Sequence, residues 1–207
     1  MQPEIAKSKF ERNFLIPRHY NLDDFKDLVI DKKKYTYTDY LKLPEGAPYQ
    51  LIGGSLVMTP APDVNHQRIS GILEFQLRNY VLDKKPGFVF DAPIDVFFGE
   101  TEVYQPDIIY ISNKRQHIIG EKKIEGAPDL IIEILSPSTA YYDLREKYRI
   151  YERYDVKEYW IVDPMQKKIE IYENKDQNFS LYNEVEEEGV VSSKLLDGFS
   201  VILNDIF

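Results

Sequence analysis

One apolar stretch, residues 126–139, constrains the fold more than any other part of the chain. It reads GAPDLIIEILSPST, so a Pro-Asp pair opens a run rich in β-branched residues and a Ser-Pro turn ends it. Such a run, bounded by turn residues, predicts a buried strand. Glu133 lies near the end of that strand, and a buried carboxylate is costly unless something compensates its charge. We therefore expect Glu133 to meet either a metal ion or an ordinary partner such as an arginine or water.

The composition limits the classes of protein to which the chain can belong. Its 207 residues suffice for one hydrophobic core, and no apolar run approaches the roughly 18 residues of a membrane-spanning helix. The absence of cysteine excludes disulfides, zinc-thiolate sites and thiol catalysis. A formal charge of −9 argues against nonspecific coating of nucleic acid but allows a local basic surface. We expect a cytoplasmic protein with no membrane partner, since the N-terminus lacks a signal-peptide pattern.

Strand and helix patterns alternate along the chain. Gly53 and Gly54 separate two apolar runs and predict a hairpin, and residues 63–82 repeat apolar side chains at helical spacing. The remaining predicted elements are a helix over 143–154 and strands over 87–91, 94–98, 105–111, 158–162, 168–172 and 179–182. This order predicts an α/β fold in which helices flank a mixed β-sheet. We expect residues 1–35 to form an N-terminal extension and residues 36–207 to form the domain.

Two predicted strands begin with a Pro-Asp pair, at Pro106-Asp107 and at Pro128-Asp129. Strand side chains alternate between two faces, so Asp129 and Glu133 lie on the same face. If the two strands are neighbours, Asp107 and Glu133 come close enough to share one cation. Carboxylate oxygens suit Mg²⁺ or Mn²⁺, which retain several waters and meet substrate phosphates. The two carboxylates thus predict a metal site at which a cation activates water and stabilises charge developing on phosphorus.

The second predicted helix carries a lysine that would complete such a site. Asp143, Lys147 and Tyr151 recur at intervals of four residues and form one stripe of that helix. Leu144 and Tyr148 form another stripe, which is expected to pack against the sheet. Lys147 would then orient the attacking water or stabilise the phosphate in the transition state. The alternative is an exposed Asp143–Lys147 pair, worth only about 0.2–0.5 kcal/mol.

Several motifs together carry a family resemblance. They are YQLI at 49–52, PDI at 106–108, APDLIIEILSPST at 127–139, Lys147, and EYWIVDP at 158–164. Over residues 35–207 the chain resembles the Uma-type family of candidate restriction endonucleases, part of the PD-(D/E)XK nuclease superfamily. The resemblance implies a restriction-endonuclease-like fold, Mg²⁺ or Mn²⁺ as cofactor, and an endonuclease that hydrolyses DNA phosphodiester bonds. A homodimer is expected, since cleavage of both strands needs two sites.

The resemblance also implies which residues form the site. The aspartate of the superfamily matches Asp107, and its acidic partner matches Glu133, so these two residues are the expected metal ligands. The lysine of the superfamily normally follows that acid by two residues, but Leu135 occupies this position. Lys147 is therefore the expected source of the positive charge. His66 lies where the family often carries a histidine and is a further candidate, although a lone histidine there is more often a capping or surface residue.

The chain departs from the family pattern upstream of Asp107. Gln50, Gly53 and Ser55 occupy positions at which the family commonly carries acidic residues. Asp91 and Asp95, in the predicted strands before Asp107, are candidate substitutes for them, and the alternative is that both are solvated residues of an edge strand. Because these acidic residues of the family are missing, two possibilities remain. The first is a nuclease that uses a single metal ion, and the second is a different function for the chain. In the second case, the protein is a catalytically weak or inactive nuclease-fold module with a DNA-binding or regulatory role.

Overall fold

A computed structural model describes residues 33–137 and 140–207 of the chain. Numbered in chain order, the strands are β1 Tyr49–Ile52, β2 Ser55–Met58, β3 Gly87–Asp91, β4 Val96–Gly99, β5 Glu102–Tyr104, β6 Ile108–Ser112, β7 Ile124–Glu125, β8 Leu130–Ile134, β9 Glu158–Asp163, β10 Lys168–Asn174, β11 Phe179–Glu186, β12 Val190–Ser192 and β13 Ser200–Ile202. The α-helices are α1 Tyr37–Tyr40, α2 Val64–Lys84, α3 Tyr148–Arg153 and α4 Leu203–Ile206. A 3-10 helix, Asn113–Ile118, follows β6, and a π-helical segment, Tyr142–Lys147, leads directly into α3. The predicted extension, residues 1–35, lies almost entirely outside the described residues, so its boundary stays a prediction.

The strands form two main sheets and a separate pair. Six strands lie in the order β11-β10-β9-β8-β6-β3, five lie in the order β2-β1-β5-β4-β7, and β12 pairs with β13. Within the six-stranded sheet, β8 and β9 run parallel and the other neighbours run antiparallel. A parallel pair requires a crossover connection, which the helical residues 140–153, here called the crossover helix, provide. The predicted α/β architecture with a mixed sheet flanked by helices is confirmed.

Strand β8 lies inside the six-stranded sheet, and both of its faces are buried. Leu130, Ile132 and Ile134 pack in one hydrophobic cluster together with α2. Ile131 packs in a second cluster together with the crossover helix. Because strand side chains alternate between faces, Glu133 points to the same side as Ile131. Glu133 therefore faces the crossover helix.

The crossover helix lies between the two sheets. Tyr151 shows this directly, because its ring centroid is 5.4 Å from that of Phe98 in the small sheet and 5.2 Å from that of Tyr159 in the large one. Leu144 and Tyr148 are buried in the same cluster, as predicted for their stripe. The stripe that carries Lys147 is buried as well, because its side chains contact Glu133 of the large sheet and Phe98 of the small one. Polar side chains on that stripe are consequently enclosed by protein.

Helix α2 covers the other face of the large sheet, and it confirms the helix predicted over residues 63–82. Asp63 caps its first turn, because its carboxylate accepts a hydrogen bond of 2.8 Å from the backbone N–H of His66. This start places the ring of His66 beside the end of β8, 3.1 Å from the carbonyl oxygen of Ile134. No helix in the part of the chain that the structure describes is long and apolar enough to cross a membrane.

The predicted hairpin is also confirmed. Strands β1 and β2 pair antiparallel on either side of Gly53 and Gly54. These two residues have φ angles of 56° and 75°, as a two-residue turn of type I′ requires. Glycine adopts such angles without steric cost, so the turn fixes the register of the hairpin.

Candidate functional site

Asp107 and Glu133 lie at neighbouring ends of β6 and β8. The two strands pair antiparallel with Ile108 opposite Ile132, so continuing the register by one residue places Asp107 opposite Glu133. The carboxylate of Asp107 is fixed there, because its Oδ2 accepts a hydrogen bond of 2.7 Å from the backbone N–H of Ile134. Asp107 and Glu133 can share one cation only if their strands are neighbours, and β6 and β8 are neighbours in the large sheet.

Glu133 is only 2% exposed, and its Oε1 has two donors. Lys147 Nζ lies 2.9 Å from this oxygen, and the hydroxyl of Tyr151 donates to it at 2.6 Å. Burial raises the pKa of Glu133; the charge of Lys147 opposes this rise, whereas the charges of Asp143 and Asp107 add to it. The carboxylate therefore lies where an additional positive charge would favour its ionised form.

Lys147 is 4% exposed and contacts two carboxylates. Its Nζ lies 2.9 Å from Glu133 Oε1 and 2.8 Å from Asp143 Oδ1. Burial lowers the pKa of this lysine, but the two neighbouring carboxylates outweigh the burial and raise the pKa of Lys147 above its ordinary value. The side chain is thus held in its charged form. The alternative of an exposed Asp143–Lys147 pair is wrong, because both side chains are buried.

The positive charge beside Glu133 comes from the crossover helix and not from the strand. Leu135, two residues after Glu133, is buried in the hydrophobic cluster that this helix joins. Asp143 and Lys147 both belong to the π-helical segment. Single π-helical turns often occur at functional sites, where they change the direction of side chains relative to a regular α-helix.

His66 contacts the carboxylate of Asp107. The residue is 8% exposed, and its Nε2 lies 3.3 Å from Asp107 Oδ2 and 3.1 Å from the carbonyl oxygen of Ile134. Burial lowers the pKa of His66, but the hydrogen bond to Asp107, its charge and the Ile134 carbonyl together raise the pKa above its ordinary value. The ring is therefore not on the surface, and only the backbone N–H of His66 takes part in the helix cap.

Asp95 lies in a separate polar network. Its Oδ1 accepts hydrogen bonds from the hydroxyl of Tyr40 at 3.0 Å and from Nε2 of Gln105 at 2.9 Å. Gln50 belongs to the same network, because its Oε1 accepts a hydrogen bond of 2.9 Å from the backbone N–H of Gln105. These contacts attach the segment that precedes Asp107 to the small sheet. Gln50 and Asp95 thus support the segment before Asp107, and the role of Asp95 as a substitute acid stays a prediction.

The oxygens of this region fit a divalent cation with few protein ligands. Across residues 33–137 and 140–207, no three His, Cys, Asp or Glu side chains are grouped so as to hold a metal by themselves. Asp107 Oδ2 and the carbonyl oxygen of Ile134 lie 3.3 and 3.1 Å from the same atom, Nε2 of His66, so both oxygens lie beside this ring. Mg²⁺ is usually held by one or two carboxylates and completed by water and substrate phosphates. Asp107 and Glu133 could supply two such carboxylates, and the Ile134 carbonyl could supply a further oxygen.

A cavity of about 750 Å³ lies at the opposite ends of β8 and β9, beside Asp129 and Glu158. The Oδ2 of Asp129 accepts a hydrogen bond of 2.7 Å from the backbone N–H of Ser112. The carboxylate of Glu158 accepts four hydrogen bonds, from Trp160 Nε1, Ser193 Oγ and the backbone N–H groups of Lys194 and Leu195. Asp129 therefore fixes the end of β6, and Glu158 holds the segment between β12 and β13 in place. The Pro-Asp pair at 128–129 thus lies at the end of β8 opposite to Glu133, and the contact of Asp129 with Ser112 is structural.

Two groups at the site received no role from the sequence. The first is the hydroxyl of Tyr151, which donates a hydrogen bond to Glu133. Tyr151 lies on the same helical stripe as Lys147, and this spacing is the sequence signal that could have predicted the contact. The carbonyl of Ile134 carries no sequence signal, because every residue has a carbonyl group and only the fold decides where it points.

Comparisons with known proteins agree with this architecture. Residues 37–204 match the model of the Uma2 family, described as "Putative restriction endonuclease". An uncharacterized protein of Synechocystis sp. is 25% identical over 150 residues, which cover 70% of this chain and 84% of that protein. A crystal structure from Anabaena variabilis, described as a "putative nuclease belonging to DUF820", has a TM-score of 0.69 and 22% identity, and the match covers 83% of this chain and 97% of that one. This likeness confirms the restriction-endonuclease-like fold.

Proposed function

The chain belongs to the Uma2 family of restriction-endonuclease-like proteins, and from that premise we propose that it is a metal-dependent endonuclease that hydrolyses DNA phosphodiester bonds. The observation that carries the proposal is the contact of Lys147 with Glu133, opposite Asp107. The resemblance to the nuclease superfamily implies an acid pair with a lysine beside it, and a cation held by such acids would activate water and polarise a phosphoryl oxygen. Here the lysine arrives from a helix, so Leu135 does not leave the site without a positive charge.

Asp107 and Glu133 would hold the cation, with the carbonyl oxygen of Ile134 as a further ligand. When bound, Mg²⁺ or Mn²⁺ lowers the pKa of a water and offsets negative charge on the phosphate. Glu133 must be ionised to bind the cation, although burial raises its pKa. Metal binding should therefore release a proton from this site in the pH range where Glu133 is still partly protonated.

Lys147 and Tyr151 would arrange the charges around the reacting phosphate. Lys147 keeps a positive charge in a buried position, where it stabilises the additional negative charge of the transition state or orients the attacking water. The hydroxyl of Tyr151 donates to Oε1 of Glu133 and so fixes the orientation of this carboxylate. A fixed carboxylate holds a cation in one place and lowers the entropic cost of positioning the reactants.

Exposed arginines of the crossover helix would contact the DNA backbone. Arg149 is 65% exposed at its side chain, and Arg153 is exposed one turn later. Phosphate contacts of this kind position a protein on DNA without reading its sequence. The overall charge of −9 makes such a local surface necessary for binding. Cleavage of both strands needs two centres, so we propose a homodimer, which sedimentation analysis would detect.

A plasmid assay tests the proposed activity. Purified protein is incubated with supercoiled plasmid and Mg²⁺ or Mn²⁺, and nicked and linear products are quantified. Asp107→Asn should abolish cleavage, because the variant loses one of the two carboxylates that hold the cation. Asp129→Asn is the matched control, since it alters the other Pro-Asp pair at the opposite end of β8 and should retain cleavage below its unfolding temperature. Cleavage that survives Asp107→Asn would show a contaminating nuclease or a different site.

A second candidate is a catalytically weak or inactive nuclease-fold module that binds DNA or regulates another protein. The observation that favours it is that oxygens of both proposed ligands already have protein partners: Asp107 contacts His66, and Glu133 contacts Lys147. Calorimetry separates the two candidates. If no divalent ion binds the wild-type protein more tightly than the Glu133→Gln variant, the enzymatic proposal fails. DNA binding without cleavage would then support the module.

A further inference from the structure

The solvent face of helix α2 carries three large apolar side chains. Val64 is 88% exposed, Phe75 is 64% exposed and Leu82 is 66% exposed, whereas Leu73 on the other face packs on the large sheet. Successive residues of an α-helix are rotated by about 100°, so positions 64, 75 and 82 lie within about 20° of one another around the helix axis. We call these three side chains the apolar row. Such a row differs from single exposed residues scattered over a surface, and it marks a binding surface.

Gly71 forms a notch in the apolar row. It lies one turn before Phe75 on the same side of the helix, and a β-carbon built at this position would meet no atom within 4 Å. The space above the backbone is therefore open. Glycine destabilises the interior of a helix, but it allows a side chain of another molecule to approach the backbone closely. The row thus combines a projecting aromatic ring with a space beside it that can receive such a ring.

The apolar row is complementary to itself under a twofold rotation. In an antiparallel pair of α2 helices whose axis passes at the level of residue 73, Phe75 of each copy faces the partner's Gly71. The same rotation sets Val64 opposite the partner's Leu82, because the two pairs have the same midpoint in the sequence. A twofold contact requires such reciprocal pairs. A second copy of this chain is therefore the occupant that fits the row.

The polar side chains beside the row fit the same arrangement. Gln67 and Arg78 lie on one flank of the row, and Arg68 and Asn79 lie on the other. A twofold rotation brings equivalent flanks together in opposite directions, so Arg78 faces the partner's Gln67 and Arg68 faces the partner's Asn79. The guanidinium groups therefore meet side-chain amides and not each other. Glu74 lies near the axis on the first flank, where Arg78 of the same helix balances its charge.

We propose that the apolar row of α2 is the contact surface of a homodimer in which the two α2 helices pair antiparallel. The inference rests on the homodimer of the proposed function, but it requires neither a bound cation nor cleavage. The 21 residues of α2 span about 30 Å, long enough to form the centre of an interface of the usual size, about 800 Å² per partner. Phe75 lies beside the axis, and residues at the centre of an interface contribute most of the binding energy.

Sedimentation equilibrium of the full chain measures the dissociation constant of the dimer. Phe75→Glu should raise this constant by about tenfold or more, because it places a charge at the centre of the contact. Gly71→Lys should raise it as well, since the lysine fills the notch, although lysine favours the helix and the open space accommodates it in the folded monomer. Leu41→Glu is the matched control, because Leu41 is also 64% exposed but follows α1 on the small sheet, and it should leave the constant unchanged.

Introduced cysteines test the register, because the chain has none of its own. A mixture of Val64→Cys and Leu82→Cys proteins should form disulfide-linked dimers on oxidation. Val64→Cys alone should not, because its two copies would lie about 27 Å apart along the helices. Equal cross-linking in both samples, or a dimer that Phe75→Glu leaves intact, would overturn the inference while the homodimer stands. A monomeric wild type would overturn both and leave residues 1–32 or a different protein as the occupant of the row; cleavage by that monomer would still support the nuclease.

Discussion

Replacing Lys147 with methionine tests whether the buried charge cluster is formed as the contacts indicate. Methionine is also unbranched and flexible, so the substitution preserves much of the packing and removes the charge. Glu133 and Asp143 then lose the ammonium group that lies 2.9 and 2.8 Å from their oxygens. Removing one partner of a buried ion pair costs about 3–5 kcal/mol, because an uncompensated charge stays in the interior. We expect the free energy of unfolding at about pH 8 to fall by about 3 kcal/mol, the lower end of that range, because Glu133 can partly escape by taking up a proton.

The loss of stability should depend on pH. Burial raises the pKa of Glu133, and the opposing charge of Lys147 is absent in the variant, so the pKa in the folded state rises further. A carboxyl group with a raised pKa in the folded state binds protons more readily there than in the unfolded chain, whose pKa is about 4.3. The stability that the proton on Glu133 contributes is therefore lost as the pH rises from the unfolded-state pKa through the folded-state pKa. The deficit relative to wild type should be smaller at about pH 5 than at about pH 8.

Urea unfolding provides the measurement. The fluorescence of Trp160, the one tryptophan of the chain and a fully buried residue, reports the transition. Adding Glu133→Gln to the Lys147→Met variant is the matched control, because it removes one of the two unpaired charges. The double variant should be more stable than Lys147→Met alone at about pH 8 and should show a weaker pH dependence. A deficit below about 1 kcal/mol at both pH values would mean that Lys147 is solvated, and the cluster as described would be wrong.

Three further perturbations separate the proposed site from its surroundings. Tyr151→Phe should move the acidic limb of the pH–rate profile of cleavage to higher pH. Burial raises the pKa of Glu133, and the hydrogen bond from the Tyr151 hydroxyl partly offsets that rise, so its loss raises the pKa further. An unchanged profile would contradict this role of Tyr151. Glu158→Gln should lower the free energy of unfolding, measured with urea, by about 1–3 kcal/mol, because the four donors of Glu158, two of them in buried hydrogen bonds, lose a charged acceptor. The cleavage rate below the unfolding temperature should not change. Arg149→Ala should reduce the slope of log K against log [salt] for DNA binding by about 0.9, whereas Lys84→Ala, on the opposite face of the large sheet, should leave the slope unchanged.

The sequence predicts elements whose pattern is local and misses those defined by distant pairing. The buried strand that carries Glu133 and the long helix α2 follow from hydrophobic periodicity within a few turns of chain. The predicted strand at 105–111 is observed at Ile108–Ser112, because the Pro-Asp pair ends the connection and does not pair within the sheet. Strands of two or three residues, such as β5 and β7, have too short a pattern to recognise. These strands form only because they pair with other strands of the small sheet.

The burial of Lys147 could not be read from its helix. Two stripes were visible in the sequence, and one of them, with Leu144 and Tyr148, was sufficient to pack the helix on a sheet. The stripe of Asp143 and Lys147 is polar, and a polar stripe normally faces water. It is buried because Lys147 and Tyr151 contact Glu133 of the large sheet, while Phe98 of the small sheet packs against Tyr151. Neither periodicity nor composition indicates that two sheets enclose one helix.

The position of Lys147 on a helix changes what holds the site together. A lysine two residues after Glu133 would share its strand face, and local geometry alone would fix the distance between acid and ammonium. Here that distance depends on how the crossover helix packs, and Asp143 supplies a second contact that holds Nζ from the helix side at 2.8 Å. This second carboxylate also sets the charge of the cluster. When Asp107, Glu133 and Asp143 are ionised beside the charged Lys147, two negative charges remain, and the desolvation of such a cluster is costly. One divalent cation would balance that charge, which is a physical reason for Glu133, Asp143 and Lys147 to be buried next to the half-buried Asp107.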